Sequence, residues 1–299
     1  MIVRENLQVS VIWRLTWKRI AWFALTGTAA AATNHVLHPT HDLLPFSAVG
    51  ALGGALAIFL GFRNNSSYDR WWEARKLWGL HVNMSRVFAR QVLTFLDGEH
   101  AAAMGRELIM RHLAFTNALR MHLRKQPGAL KEIETYLPAD ELALYATTQN
   151  LPARLLHHQG ERLVAARKSG LMDPFSFFQV ERTLTEFANV QGGCERIKNT
   201  PLPRQYSFYT RVFMYVYTTL LPFAVVHQLG WMTPLLTVPV CFMFAALEGV
   251  GRVNEDPFEN RIQDTPMSSL CRTIEINLLE VLGEKDLPAP IQPVDGFLW

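Results

Sequence analysis

Two long stretches of this chain contain no lysine or arginine. The first covers residues 20–62, which is 43 residues, and the second covers residues 212–251, which is 40 residues. Asp42 and Glu248 are the only acids within them, although the 299-residue chain carries 29 basic and 26 acidic residues in total. Charge is therefore concentrated in the rest of the chain, and this uneven distribution excludes a uniformly globular, water-soluble fold.

Each basic-free stretch has the length of two membrane spans and a short turn. A hydrocarbon core of about 30 Å is crossed by about 20 apolar helical residues. Polar or turn-forming residues interrupt the two stretches near their middles, at residues 38–42 and 227–230. The pattern predicts two transmembrane hairpins, and the alternative is a set of apolar helices buried in a soluble helical protein.

The basic residues beside these stretches predict the orientation of the hairpins. Lysine and arginine near span ends stay on the cytoplasmic side of a membrane. Neither hairpin turn carries one, so both termini and the long central region are expected in the cytoplasm. The predicted segments are an N-terminal segment with the first hairpin (1–62), a helical cytoplasmic region (63–211), a second hairpin (212–251), and a cytoplasmic helix with a tail (252–299). The flanking basic residues are Arg14, Lys18, Arg19, Arg63, Arg70, Arg75, Lys76, Arg204, Arg211 and Arg252.

Helical periodicity continues beyond the second predicted span. Apolar residues recur at intervals of three and four from Tyr68 to Leu96, and no proline intervenes before the Asp97-Gly98 break. This spacing predicts one long helix that continues out of the membrane. No alternating strand pattern is found, so the predicted fold class is an all-α integral membrane protein. Further helices are predicted over residues 99–125, 139–149, 152–169, 174–191 (ending before Gly192-Gly193) and 267–282, with an extended proline-rich segment at residues 287–293.

Enzyme motifs are absent from the sequence. No phosphate-binding P-loop, Gly-x-Ser-x-Gly, Cys-x-x-Cys or His-Glu-x-x-His pattern occurs, so we do not expect an enzyme. His35, His38 and His41 recur at every third residue around the first predicted turn. Imidazoles at this spacing suit a metal ion, but polar filling of an exposed turn is the favoured interpretation.

Four acids after the fourth predicted span form a candidate calcium site, because Ca²⁺ prefers several oxygen ligands. The spacing is not that of an EF-hand loop, and Arg261 lies among the acids. Asp256-Pro257 equally suits a helix cap, which is the favoured interpretation. The four acids are Glu255, Asp256, Glu259 and Asp264.

One face of the second predicted span carries a candidate pore lining. Gly54, Ile58 and Phe62 are four residues apart and share one helix face. Copies of this helix around an axis would form stacked apolar rings, which gate ion flow by dewetting. Ordinary packing against lipid or another helix explains the same spacing.

Four separated motifs stand out along the chain. The longest is FLGFRNNSSYDRWWEAR at residues 59–75, and the others are GCERI at residues 193–197, TPLP at residues 200–203 and EDPF at residues 255–258. Together they resemble the bestrophin family, specifically its bacterial branch. The motifs follow the order expected for the family, and the resemblance runs over nearly the whole chain.

The resemblance implies a homopentameric ion channel with four transmembrane helices per subunit around one central pore. The family's pore neck is lined by three apolar residues of the second span, which map to Gly54, Ile58 and Phe62. Gly54 departs from the bulky aliphatic residue of the family, so the outer ring is expected to be wider unless a register shift places Leu52 or Leu56 in the pore.

A second constriction, the cytoplasmic aperture, is also implied by the resemblance. It maps to Phe178 by counting sixteen positions back from Cys194. Phe178 falls near the start of the helix that follows Asp173-Pro174, and helix N-termini directed at a pore would present positive partial charge to an anion.

Calcium activation is not expected from the resemblance. Eukaryotic relatives hold Ca²⁺ with an acidic run after the Asn-Pro-Phe or Asp-Pro-Phe motif. The corresponding residues here are 259–264, and most of the carboxylates are missing. Asp256 and Asp264 are the residues that a calcium site would use, and no cofactor is predicted.

The functional prediction is a passive channel for small monovalent ions in the inner membrane of a bacterium, with both termini in the cytoplasm. We favour chloride, because eukaryotic relatives pass anions. The predicted partners are other copies of the chain in a homopentamer, the permeant ions and the lipid bilayer, with no nucleic acid. The alternatives are a monovalent-cation channel of the same architecture and a membrane scaffold or sensor whose helical region binds a partner. The uncharged rings leave the sign of the ion open.

Overall fold

The computed structural model describes residues 1–2, 9–37, 39, 41 and 44–299, and for residues 9–12, 14 and 15 it describes the backbone alone. All regular elements in this part of the chain are helices, which confirms the all-α fold. The helices are α1 Val9–Leu37, α2 Phe46–Phe95, α3 Ala101–Leu123, α4 Ala129–Ile133, α5 Ala139–Ala143, α6 Leu151–Lys168, α7 Pro174–Asn199, α8 Arg204–Leu229, α9 Thr233–Asn254 and α10 Met267–Val281.

The chain divides into two compact units. The apolar unit comprises the described part of Arg4–Arg70 together with Pro201–Glu255. The large unit comprises Trp71–Thr200 and Asp256–Trp299, with the first residues of the chain. The helix α2 contributes its first half to the apolar unit and its second half to the large unit.

The apolar unit is built from α1, the first half of α2, α8 and α9. Phe23 of α1 and Leu56 and Leu60 of α2 are buried in one core with residues of α8 and α9. Gly53 brings α2 close to α8, because a Cβ atom on Gly53 would lie 2.7 Å from the ring of Tyr217. A glycine therefore sets the spacing of these two helices.

Two helical stretches of the described chain are long and apolar enough to cross a membrane, Phe46–Phe95 and Arg204–Asn254. The second contains α8, a 3₁₀ turn at Gly230–Met232 and α9, and so holds both halves of the predicted second hairpin. Large apolar side chains such as Leu235 and Met243 of α9 are exposed. Exposed apolar side chains on helices suit a hydrocarbon surrounding, in which a helix satisfies its own backbone hydrogen bonds.

The predicted long helix is confirmed by α2, which runs without interruption over 50 residues. At 1.5 Å per residue its length is about 75 Å, more than twice the thickness of a bilayer core. In the large unit, Trp78 and Phe88 on α2 are fully buried against α3 and α7. The second half of α2 therefore contributes to the core of the large unit.

Two helix boundaries predicted from sequence are wrong. α7 does not end near residue 191 but passes through Gly192-Gly193 to Asn199. A Cβ atom on Gly193 would lie 2.9 Å from Cδ1 of Leu77, so this glycine permits close packing of α7 on α2 and does not end the helix. The helix predicted over residues 139–149 ends at Ala143, because tighter backbone bonds of the i, i+3 type follow it.

The C-terminal residues lie against the start of the chain. Val294 and Phe297 exchange backbone hydrogen bonds of 3.0 and 2.9 Å, and the amide of Leu298 donates to the carbonyl of Met1 at 2.8 Å. The proline-rich residues before them are not helical, as predicted. The tail is thus bound to residues at the start of its own chain.

Two histidines are buried among aromatic rings of the large unit. His81 Nε2 lies 2.9 Å from Thr116 Oγ1, and His112 Nε2 lies 2.8 Å from Ser85 Oγ. Phe187 packs against His112, with ring centroids 4.4 Å apart. Burial lowers the pKa of His81 to about 3 and the pKa of His112 well below its usual value. Both rings are therefore neutral near pH 7.

Acidification is expected to destabilise the large unit. A histidine of the unfolded chain titrates near pH 6.5, whereas His81 stays neutral in the folded protein down to about pH 3. The unfolded state then binds more protons, so stability falls as the pH drops from about 6.5 towards 3. At pH 5 the loss from His81 alone is about 2 kcal/mol. Urea unfolding of the purified protein at pH 7 and pH 5 measures this loss.

The matched variants are His81→Gln and His157→Gln. His157 is exposed on α6, so its replacement leaves the acid destabilisation unchanged. Replacing His81 reduces the difference in unfolding free energy between pH 7 and pH 5, whatever it does to stability at pH 7. A difference in the His81→Gln protein as large as that of the wild type contradicts this account.

Candidate functional site

Gly54, Ile58 and Phe62 form a stripe along α2 that the described residues of the chain leave uncovered. Ile58 is 64% exposed and Phe62 is 69% exposed. Gly54 is also exposed, and a Cβ atom built on it would meet no atom within 4 Å. We call these three residues the α2 stripe. The stripe lies in the apolar unit and is exposed there.

The leucines considered as alternatives to Gly54 lie on other sides of α2. Leu56 is 2% exposed and belongs to the core of the apolar unit. Leu52 is partly buried and packs against the same core. In this subunit the exposed stripe therefore continues from Ile58 to Gly54.

Phe178 lies in the second turn of α7, in the large unit. Its side chain is 63% exposed, and the neighbouring Phe175 is 85% exposed. The carboxylate of Asp173 caps α7 by accepting from the amides of Phe175 at 2.8 Å and Ser176 at 3.1 Å. Hydrogen bonds from Ser176 lower the pKa of Asp173, so the cap is ionised and offsets the positive end of the helix dipole.

A buried charge cluster surrounds Glu248 in the apolar unit. The Glu248 side chain is fully buried on α9. Arg19 of α1 donates from Nη2 to its Oε2 at 2.8 Å. Arg63 of α2 places Nη1 3.8 Å from Oε1, and Arg211 of α8 places Nε 3.9 Å from the same oxygen. One carboxylate is thus approached by arginines from three other helices.

The members of the cluster are the residues that delimit the basic-free stretches. Arg19 precedes residues 20–62, Arg63 follows them, and Arg211 precedes residues 212–251. Glu248 is the only acid of the second stretch. Their convergence brings the ends of the two basic-free stretches together, as expected for two antiparallel hairpins.

The sequence indicated these arginines only as orientation signals, and their ion pairs with Glu248 were not predicted. A signal was available, because a lone acid in a stretch bounded by arginines needs a basic partner once it is buried. The choice of partner could not be read from the sequence, since 229 positions separate Arg19 from Glu248.

Arg63 makes the most contacts within the cluster. Its side chain is 1% exposed. Nη1 donates to the carbonyl oxygen of Glu248 at 3.3 Å, and Nη2 donates to Ser207 Oγ at 3.1 Å. Nη2 also lies 3.4 Å from Oε2 of Glu255, which accepts a hydrogen bond from Ser207 at 3.0 Å. The guanidinium therefore connects α2 to both α8 and α9.

Asp256 and Asp264, the two residues that a calcium site would use, lie in the large unit. Asp264 is buried, its Oδ2 accepts from the amide of Arg261 at 3.0 Å, and burial raises its pKa. Asp256 is half-buried. Among the described residues, no three histidine, cysteine or acidic side chains are grouped as a metal would require. These contacts give Asp264 a structural role in the turn before α10.

The histidines of the first predicted turn are described only in part. The His35 ring lies 5.9 Å from the ring of Trp231, between centroids. His38 lies outside the described residues, and so does Asp42. The contact with Trp231 gives His35 an aromatic neighbour at the end of α1.

Comparison with known proteins assigns these features to one class, helical membrane proteins, and to one family within it. Residues 3–280 match the family described as Bacterial/Fungal Bestrophin protein. The match covers most of the chain and confirms the resemblance carried by the four motifs. This chain belongs to the bestrophin family.

Relatives and a solved structure agree with this assignment. YneE of Escherichia coli K12 is 38% identical over 251 residues, which cover 84% of this chain and 80% of YneE. RSc3414 of Ralstonia nicotianae is 36% identical over 298 residues, 96% of each chain. Both are named voltage-dependent anion channel-forming proteins. The crystal structure of a bacterial Bestrophin homolog from Klebsiella pneumoniae matches with a TM-score of 0.83 and 32% identity, covering 90% of this chain and 98% of that one.

Removing the charge of Glu248 is expected to destabilise the apolar unit. In Glu248→Gln the guanidinium groups of Arg19 and Arg63 lose a buried counter-charge, and breaking a buried pair costs about 3–5 kcal/mol. Thermal unfolding in detergent should show a clearly lower midpoint.

The matched control is Asp69→Asn, because Asp69 is an exposed acid of the same unit on α2. Its midpoint should equal that of the wild type. Equal midpoints for Glu248→Gln and Asp69→Asn would show that the cluster does not stabilise the unit.

Proposed function

We propose that this protein is a subunit of a membrane channel that conducts small anions through a pore lined by the α2 stripe. The observation that carries the proposal is the exposure of Ile58 and Phe62, two large apolar side chains four residues apart on one face of α2. Membership of the bestrophin family supports a channel, and the names of its relatives support anions. No enzymatic activity is proposed.

The pore requires more than one copy of the chain, because a stripe on one helix cannot enclose an aqueous path. We propose a homopentamer in which five α2 stripes surround one axis. Ile58 and Phe62 then form two apolar rings, and Gly54 leaves a wider ring at the other end of the stripe. Phe178, exposed on α7, forms the second constriction.

We propose four membrane spans per subunit, formed by α1, the first half of α2, α8 and α9. The convergence of their ends on Glu248 and the basic residues at those ends support this arrangement. By the positive-inside rule both termini and the large unit face the cytoplasm across the inner membrane of a bacterium.

Chloride is the proposed main ion, with a cation channel of the same architecture as the second candidate. The names of the relatives favour anions. The ionised Asp173 cap beside the exposed phenylalanines of α7 is the feature that favours cations, because five such carboxylates would attract them. We propose conduction that does not depend on calcium, since Asp256 and Asp264 are not joined by a third ligand among the described residues.

The direct test is a recording of purified protein in planar bilayers under a gradient of NaCl. Anion conduction gives a reversal potential close to the equilibrium potential of chloride. The same currents are expected when calcium is chelated. A reversal potential of the opposite sign assigns the cation channel. The absence of any current across repeated reconstitutions favours a scaffold or sensor and rejects the proposal.

Shortening Phe62 is expected to raise the current. Phe62→Ala removes a large aromatic side chain from one of the proposed apolar constrictions, so unitary conductance rises and the apolar barrier to hydration falls. Single-channel recording in symmetric NaCl measures this effect.

Phe59→Ala is the matched control, because Phe59 lies one turn earlier on α2 with its ring stacked on Tyr206 at a centroid distance of 5.5 Å. Its unitary conductance should stay at the wild-type value. Equal conductance in wild type and Phe62→Ala would place the pore elsewhere.

A further inference from the structure

We infer that Arg63 is a positioning residue for permeation: it holds α2 at the rotation that directs Phe62 into the pore. The inference rests on the proposed function and deepens it. Arg63 follows Phe62 directly in the sequence, and neighbouring residues of a helix point about 100° apart. Phe62 is 69% exposed while the Arg63 side chain is 1% exposed, so one residue faces out of the subunit and the next is enclosed by it.

The two ends of the Arg63 guanidinium reach different helices. Nη1 donates to the backbone carbonyl of Glu248 on α9 at 3.3 Å. Nη2 donates to Ser207 Oγ on α8 at 3.1 Å. Because these partners lie on two separate helices, a turn of α2 about its own axis lengthens at least one of the bonds. The planar guanidinium thereby opposes rotation more strongly than a bond to one helix alone would.

Further contacts near Arg63 hold α2 against α9 and the residue that follows it. Asn64 Nδ2 donates to the carbonyl of Leu247 at 3.0 Å. A Cβ atom on Gly251 would lie 2.1 Å from Asn64 Oδ1, so only glycine leaves room for this amide. Arg70 Nε donates to the carbonyl of Glu255 at 2.6 Å, nearly two turns further along α2. These contacts fix the distance between the helices, and Arg63 adds the link to α8.

Charge is not the property that distinguishes Arg63. Its guanidinium lies 3.8 Å from Glu248 Oε1 and 3.4 Å from Glu255 Oε2, so two carboxylates counter the charge locally. A lysine would keep the charge, but its single ammonium group lacks the two-ended planar geometry that arginine offers. The substitution Arg63→Lys therefore separates positioning from electrostatics.

A small rotation of α2 has a large effect at the pore. Side-chain tips lie about 5–6 Å from a helix axis, so a rotation of about 30° moves the tip of Phe62 by about 3 Å. Five subunits would move together around the axis. A shift of this size changes an apolar constriction, whose conduction depends on its width.

The experiment uses Phe62→Cys as a reporter in the full-length protein. The three native cysteines, at positions 194, 241 and 271, are buried, so a charged thiol reagent acts on the introduced one. In an otherwise unchanged chain, modification of the introduced thiol is fast and blocks the current. With Arg63→Lys added, we expect a loss of fast block and slower labelling of that thiol by mass spectrometry, with an unchanged oligomer size.

Arg211→Lys is the matched control. Arg211 Nε lies 3.9 Å from the same carboxylate, but the Arg211 side chain is about half exposed. This ion pair joins α8 to α9 and does not involve α2. Replacing Arg211 should therefore leave block and labelling unchanged. Wild-type block and labelling in Arg63→Lys would overturn the inference. A general loosening of the cluster would instead change both lysine variants equally, and this result also overturns it.

The inference can still be tested if Arg63→Lys fails to assemble or if the wild-type protein carries no current. If Arg63→Lys does not assemble, Ser207→Ala decides, because it removes the hydroxyl on α8 that accepts from Arg63 and keeps the Arg63 bond to the Glu248 carbonyl on α9. Slower labelling of the introduced thiol supports the inference, and an unchanged rate refutes it. If the wild-type protein carries no current, the proposed function fails, and the labelling rates at position 62 still show whether Arg63 holds this face of α2.

Discussion

The buried ion cluster around Glu248 is the interaction on which the arrangement of the apolar unit depends. Its carboxylate is fully buried, and arginines from α1, α2 and α8 reach it from three directions. Two charges removed from water stabilise a structure only when they remain paired, and separating them leaves an uncompensated buried charge. The cluster therefore allows few relative positions of these helices, and apolar packing alone would allow many more.

Because of this constraint, one side of α2 is polar and hydrogen-bonded and another side is apolar and exposed. One side carries Arg63 and Asn64 and is bonded to α8 and α9. The other carries Ile58 and Phe62 and meets no core of its own subunit. In the proposed pore, the polar bonds on the enclosed side would keep the apolar stripe directed at the axis while water and ions pass.

Much of this organisation is predictable from sequence, and the errors have physical causes. The basic-free stretches locate the apolar helices, and the period of Tyr68 to Leu96 predicts the uninterrupted α2. The end of α7 was predicted wrongly at Gly192-Gly193, because a glycine pair weakens a helix locally. In the structure, close packing against Leu77 favours glycine at position 193. The bond between Arg63 and Ser207 joins residues 144 positions apart, and no local pattern encodes such a pairing.

Electron cryo-microscopy of the detergent-purified protein tests the central claim most directly, namely that α2 presents its stripe to an axis shared by several copies. We predict five subunits with the side chains of Ile58 and Phe62 at the centre and the guanidinium of Arg63 turned away between α8 and α9. A stripe that faces detergent on the outside of the particle, or an axis lined by another helix, would contradict this claim.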